Sequence, residues 1–303
     1  MGQRRFGRHV IETSNEDKLL FPGDRITKGD LMDYYAAIAP RILPWLRDRP
    51  LVLERFPDGI EAKGFYQKQV AEHFPGWIST VRVEKAGRQT QDLVVCDSEA
   101  TLVYLANLGC VTLHPWLCRT DRLRHPDQLI VDLDPPGEDF GSVRAAARAC
   151  RELFDELGLP TFVKTTGSKG LHVVVPLDRS ADFDAVRELA RDAMQMLAAR
   201  RPEALTTEVR KNKRKGRVYL DVARNAYAQT AVAPYAVRPL PGAPVATPIE
   251  WDELGRVGAR SFTISNLFRR LARREDPWKG LRRRACGIAP ARRRLERIRE
   301  RES

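Results

Sequence analysis

The stretch "LIVDLDPP" (residues 129–136) ends an apolar run on two aspartates, Asp132 and Asp134, followed by two prolines. Alternate side chains of a strand share a face, so both carboxylates point the same way, with their Cα atoms roughly 7 Å apart. Carboxylates that close repel each other, and half-burying them is costly unless cations compensate. Pro135 and Pro136 stop the strand and leave the pair at a rim open to solvent and ligand. A third carboxylate of this kind is Asp221 in "VYLDV", where an unpartnered charge in an apolar strand is again costly. Three aspartates on neighbouring strand ends can hold two divalent ions roughly 3.5–4 Å apart, a clamp for in-line displacement at phosphorus. One ion lowers the pKa of a sugar hydroxyl and the other neutralises a leaving pyrophosphate. All-oxygen ligation predicts Mn²⁺ or Mg²⁺ rather than zinc. The plainer alternative, an acidic strand end feeding a turn, stays open at this point.

A second group lies in "TTGSKGLHVVV" (165–175), where two glycines flank Ser168 and Lys169. Such a loop lets backbone N–H groups converge on an anion. It is not a Walker loop: GxxxxGK[ST] is absent and a strand follows instead of a helix, which disfavours a Walker-type ATPase. Lys169 is a candidate triphosphate cation, and His172 at the start of the strand is a candidate hydrogen-bond donor to a phosphate oxygen. The alternative for His172 is a satisfied structural histidine.

These groups need strands to carry them and a body to bury the strands. The chain has 303 residues, 43% hydrophobic and 30% charged, enough for a sizeable core. No run approaches twenty apolar residues and the N-terminus lacks a signal-peptide core, so a cytoplasmic location and no membrane partner are expected. Five cysteines without a CxxC pair read as buried thiols in a reducing compartment. The net charge of +12 is uneven: residues 269–303 hold 14 Lys/Arg against 5 Asp/Glu, and six of the eight residues in "RKNKRKGR" (210–217) are cationic. Beside a candidate metal site, that distribution points to a polyanionic partner.

Thr27 and Asp30 stand in capping-box positions before a helix that the prolines at 40 and 44 are expected to interrupt. Strands are expected over 51–56, 80–84, 92–96, 129–134, in "PTFVKTT" and "LHVVVPL", and over 217–223 and 229–237. Helices are expected over 98–108, 139–158 and 182–200. In the second of these, Val143, Ala146, Ala147, Cys150, Leu153, Phe154 and Leu157 share one face. With no repeat and no long linker, one compact α+β body with a basic tail is expected.

The order "DLD", "TTGSKGLH", "YLD" resembles the three-motif signature of archaeo-eukaryotic primases. The longer resemblance is to the polymerase domain of bacterial DNA ligase D, carried by "DKLLFP…TKGDLMDYY", "ERFPDGIEAKGFYQKQ", "TLHPWL", "QTAVAPYAVRPLPGAPVATPIEWDEL" and "DPW", from about residue 10 to 281. It implies a primase-polymerase fold, an RRM-like sheet beside a second β-rich subdomain flanked by helices, with the active site between them. The domain then spans 1–284, with a basic tail over 285–303.

The resemblance makes Asp132, Asp134 and Asp221 the metal ligands for two Mn²⁺ or Mg²⁺ ions, and Thr166, Ser168, Lys169 and His172 triphosphate contacts. His114, Arg224 and Arg238 complete the implied nucleotide site, for NTP or dNTP. Lys18 and Lys28 match lysines that hold a downstream DNA 5′-phosphate, and Phe65 and Tyr66 match aromatics that stack on the template. Arg214 falls in the implied DNA-contact loop. From the residues alone, Phe65 and Tyr66 could be core, and Lys18 a solvated charge. The expected activity is template-guided addition of nucleotides to DNA 3′ ends at gaps or breaks in repair, with DNA as partner and Ku and a DNA ligase as further candidates. A two-metal nuclease and a non-catalytic DNA end-bridging module are the rival classes. The basic tail admits two readings, a self-paired solvated helix or a phosphate-contacting one.

Overall fold

The computed structural model describes residues 2–84 and 89–302, which form two compact units. Unit 1 comprises 1–123, 230–246 and 262–274, and unit 2 comprises 124–229, 247–261 and 275–303. Each unit is assembled from separate stretches of chain, so no single linker marks the division.

Unit 1 begins with two hairpins, β1 (Gly2–Phe6) with β2 (His9–Thr13) and β3 (Leu19–Phe21) with β4 (Ile26–Thr27). Helix α1 (Lys28–Leu46) opens on the expected capping box: Thr27 Oγ1 accepts from the Asp30 N–H, and Asp30 Oδ2 from the Thr27 N–H. It runs unbroken through Pro40 and Pro44. Both prolines lie on the exposed face, where water can replace the lost N–H donors, while Tyr35, Ile38, Ile42 and Leu46 on the buried face hold the helix to the core. Strands β5 (Leu51–Arg55), β6 (Phe65–Gln67), β7 (Thr80–Glu84) and β8 (Thr90–Val94) follow, then α2 (Glu99–Asn107), capped by Ser98, and β9 (Cys110–Pro115). A three-stranded sheet has the order β6-β5-β9, and β7 pairs with β8.

Unit 2 is built on β10 (Gln128–Asp134), α3 (Phe140–Glu156), β11 (Phe162–Thr165), β12 (Leu171–Pro176), α4 (Phe183–Arg200), β13 (Leu205–Thr206), β14 (Val218–Asp221) and β15 (Pro248–Ile249). Its sheet has the order β13-β14-β10-β12-β11-β15, antiparallel except between β13 and β14. Helices α3 and α4 pack on β10 and on each other. The expected face of α3 is buried from Val143 to Leu157. The chain returns to unit 1 for α5 (Leu267–Leu271) and ends with α6 (Ala289–Glu302).

Two expectations fail locally. Residues 229–237 make isolated bridges rather than a strand, because Pro234 lacks a donor and Tyr235 takes a left-handed φ of 67°. Four cysteines are buried as expected, but Cys286 is only partly so. The stretch 285–303 clusters with unit 2. Ala291 and Leu295 are buried, Arg292 meets Glu188 at 2.5 Å, Arg299 meets Asp192 at 3.5 Å, and Arg200 meets Glu302 at 2.7 Å. Arg292, Arg299 and Glu302 of this last helix thus pair with residues of α4.

Candidate active site

Strand register in unit 2 aligns residues far apart in sequence. Asp132 stands opposite Asp221 on β14 and opposite His172 on β12, and His172 stands opposite Lys164 on β11. Directly paired residues of antiparallel strands share a face. Asp221, Asp132, His172 and Lys164 therefore form a row across four strands, with Asp134 two residues along on the same face. Val131, Leu133, Val163, Leu171, Val173 and Leu220 project from the other face and are buried.

The row is held by electrostatics as well as register. His172 Nε2 lies 3.4 Å from Asp132 Oδ1, and Arg224 Nε lies 3.7 Å from Asp132 Oδ2. Burial and the nearby Lys164 ammonium push the His172 imidazole down to about 4, so it is neutral at pH 7. Burial alone would raise Asp132, but His172, Arg224 and Lys164 outweigh it and keep the carboxyl below its ordinary value. A neutral imidazole leaves Arg224 and Lys164 as the cations that hold Asp132 ionised. Asp134 goes the other way: desolvation, then Asp132 and Asp221, push it up to about 6, although Arg214 Nη1 is 4.0 Å from its Oδ2. Asp221 Oδ1 accepts the Ala223 N–H at 2.8 Å.

The donor chemistry of Asp132, Asp134 and Asp221 suits a hard divalent cation, and the raised Asp134 marks uncompensated negative charge that a cation would offset. Among the described residues no three His, Cys, Asp or Glu side chains already stand in a metal-holding arrangement. Arg214 and Arg224 meanwhile lie against two of the carboxylates.

The Thr165–Gly170 turn is pressed onto β10. A Cβ on Gly170 would lie 2.2 Å from the Leu133 carbonyl oxygen, so a side chain there would drive the turn off the strand. Gly167 takes φ 66°. The Thr166 hydroxyl accepts from the N–H groups of Ser168 and Gly170 and donates to the Gly170 carbonyl, so it organises the turn from within. Arg260 Nε donates to the Ser168 carbonyl at 3.0 Å. Lys169 is exposed and lines two clefts, one of about 320 Å³ with Asp134, Lys211 and Arg214, the other of about 250 Å³ with Ser168, Glu138 and Arg260. Arg214 is anchored: its guanidinium lies 4.0 Å from the Tyr219 ring centroid and donates to the carbonyls of Glu208 and Val209.

The remaining predicted residues lie in unit 1. Lys18 and Lys28 are neighbours, joined by a Lys28 N–H to Lys18 carbonyl bond of 2.8 Å. Lys18 Nζ reaches Asp58 at 2.6 Å, and Lys28 Nζ reaches Ser14 at 3.4 Å. Burial holds the Lys28 ammonium below its ordinary pKa. Phe65 and Tyr66 are 46% and 60% exposed, which removes the core alternative for both. Arg55 lies over the Phe65 ring at 5.2 Å. His114 Nε2 lies 2.9 Å from Glu54 Oε2, and the Tyr66 hydroxyl donates to Glu54 Oε1 at 3.1 Å. Burial raises Glu54, but the His114 bond and the charges of His114 and Arg238 bring it below the ordinary glutamate value.

Lys164, Glu54 and Asn225 escape motif reading because strand pairing or a turn brings them in. Lys164 leaves a weak trace as a lone lysine in the apolar "TFVKT". Asn225 is fully buried; its Oδ1 accepts from the Ile130 N–H at 2.8 Å, and its Nδ2 donates to the carbonyls of Ile130 and Val222. It ties the turn bearing Arg224 to β10.

A model of the LigD primase-polymerase domain matches residues 27–278. The multifunctional non-homologous end joining DNA repair protein LigD of Mycobacterium tuberculosis is 32% identical over 276 residues, covering 88% of this chain and 36% of the relative. The multifunctional non-homologous end joining protein LigD of Pseudomonas aeruginosa is 33% identical over 273 residues, covering 88% and 32%. The chain thus spans about a third of the length of these relatives. The polymerase domain of Mycobacterium tuberculosis ligase D, solved in complex with DNA, superposes with a TM-score of 0.85 at 31% identity, covering 91% of this chain and 99% of that one. With the α+β architecture, these matches carry one conclusion: the chain belongs to the LigD primase-polymerase domain family.

Proposed function

We propose that the protein is a metal-dependent nucleotidyltransferase that extends DNA 3′ ends at gaps or double-strand breaks, in end joining or gap-filling repair. The observation that carries this is the alignment of Asp132 with Asp221, with Asp134 on the same face, in a member of this family. The relatives named for end joining and the neighbour solved with DNA support the setting. Asp132, Asp134 and Asp221 would hold two Mn²⁺ or Mg²⁺ ions, which supply charge neutralisation and activation of an attacking hydroxyl when bound. Ser168, Lys169 and Arg224 offer donors to the triphosphate of an NTP or dNTP, while Thr166 shapes the turn that presents the first two. Neutral His172 buttresses Asp132 from the next strand. In unit 1, His114 and Arg238 serve the nucleotide, Phe65 and Tyr66 the template, and Lys18 and Lys28 a recessed 5′-phosphate. Ku and a DNA ligase are the partners this reading implies, in the cytoplasm or on the nucleoid. Among the described residues no helix is long and apolar enough to cross a membrane.

The test is extension of a gapped duplex with and without a downstream 5′-phosphate, comparing NTP with dNTP in Mn²⁺ or Mg²⁺. Template-dependent extension favoured by the phosphate is expected. Shortening of labelled DNA without nucleotide would replace the reading by a nuclease, and binding without either reaction by an end-bridging module.

A further inference from the structure

Glu54 is an uncommon group to find where it is: a carboxylate only 8% exposed in the interior of an apolar strand. Burying it is offset by two donors that come from different strands. On β9, His114 places Nε2 2.9 Å from Oε2; on β6, the Tyr66 hydroxyl lies 3.1 Å from Oε1. The two rings also touch edge to face, with centroids 5.8 Å apart. Register makes the arrangement: Glu54 stands directly opposite Tyr66, while His114 is opposite Val52, two residues along β5 on the same face.

Each oxygen of the carboxylate is thus committed to a different side chain. If His114 moves, Oε2 loses its donor; if Tyr66 swings away, Oε1 loses its own. A bond from His114 Nε2 to the ionised carboxylate also fixes the proton on that ring nitrogen.

We infer that Glu54 is a positioning residue that couples nucleotide binding to template binding, by holding His114 and Tyr66 through one carboxylate. This rests on the proposed roles of His114 toward the nucleotide and Tyr66 toward the template. Ordering either side chain by its ligand orders Glu54, and Glu54 then orients the other. The coupling is reciprocal: template bound at Tyr66 sharpens nucleotide affinity, and nucleotide bound at His114 sharpens the hold on template.

The test uses equilibrium binding with the full chain. A fluorescent gapped duplex reports DNA affinity, and a non-hydrolysable nucleoside triphosphate titrated into the protein–DNA complex reports nucleotide affinity. Glu54→Gln keeps shape and polarity, and its melting temperature controls for folding. It is expected to weaken nucleotide binding roughly 10-fold to 100-fold, the scale of one hydrogen bond to a charged group. DNA binding should weaken by a smaller factor. In a His114→Ala background, Glu54→Gln should cost no further nucleotide affinity yet still weaken DNA binding. In a Tyr66→Phe background the pattern should invert. A loss that merely reflects loosened structure would add in both backgrounds and would overturn the inference, as would unchanged affinity for either ligand in the Glu54→Gln protein. If His114→Ala alone leaves nucleotide affinity intact, the assigned role of His114 is wrong, and the coupling falls with it. That outcome is read from the single variant, before any Glu54 change is made.

Discussion

The two units each set a histidine against a carboxylate, and the surroundings give the pairs different characters. In unit 2, His172 and Asp132 sit 3.4 Å apart with Lys164 and Arg224 close by. Burial, then the Lys164 and Arg224 charges, keep the proton off the imidazole, whose pKa falls to about 4, and the same cations leave the carboxylate charged. In unit 1, Glu54 has His114, the Tyr66 hydroxyl and the Arg238 charge as its stabilisers, and it too lies below its ordinary value. The second contact is the shorter, 2.9 Å against 3.4 Å, and the neighbouring charges differ as well. The first is one step in a charge row that ends on two further carboxylates. The second is a bracket between two rings.

The comparison breaks most sharply at the acidic end of the row. Asp132→Ala, Asp134→Ala and Asp221→Ala are each expected to lower extension by roughly 10³-fold or more, with double variants little worse, because groups acting as a unit fail together. Steady-state extension rates check this, and independent, additive losses would dismantle the row as a functional unit.

Lys164→Met separates the two characters directly. Removing a cation from a buried charge cluster is expected to destabilise the fold by about 3–5 kcal/mol. His172 should then titrate above its present value of about 4, because one of the charges that depresses it is gone. Histidine ring NMR across a pH series measures this. An unmoved titration would leave burial and Arg224 as the causes.

On the other side, Phe65→Ala tests whether the exposed aromatics beside the bracket serve DNA. Template affinity should fall by about 1–3 kcal/mol, the value of a base–aromatic stack. The melting temperature should hardly move, since Phe65 is 46% exposed. A large drop in melting temperature with intact affinity would reverse the assignment.

The smallest expected effect is at Asp134, whose carboxyl is raised from 3.8 to about 6. A carboxyl raised by folding favours the folded state while protonated. Its contribution is therefore full below about pH 4 and is lost as pH rises through about 6. Asp134→Asn should accordingly stabilise the protein in chelator at pH 7.5 by about 1 kcal/mol, a figure discounted for its half-exposed side chain. The gain should vanish at pH 4 and shrink when Mn²⁺ is added. Thermal melts at the two pH values decide it.

Local signals carried much of this architecture. The capping box at Thr27 and Asp30, the apolar face of α3 and the strand ending at Asp134 are all set by neighbours in sequence, and all are found in the structure. What escaped reading depends on partners far along the chain. Helix α1 passes through Pro40 and Pro44 because its other face is buried, a fact of packing rather than of propensity. Lys164 and Glu54 acquire meaning only once β11 lies beside β12, and β5 lies between β6 and β9. The division into two units follows from chain returns near residues 230, 247, 262 and 275, none of which announces itself by composition.

Asn225 gives the seam between β10 and the Arg224 turn a property that geometry alone does not express. Its amide stands in for a strand residue, offering one acceptor and two donor bonds to the backbone of Ile130 and Val222. Aspartate lacks the donors, and glutamine is one methylene too long to close the same ring of bonds. Asparagine is also among the heat-labile residues. Loss of its ammonia would set a carboxylate against the Ile130 carbonyl, acceptor facing acceptor, at a fully buried position. The integrity of the seam therefore rests on the chemistry of a single side-chain amide.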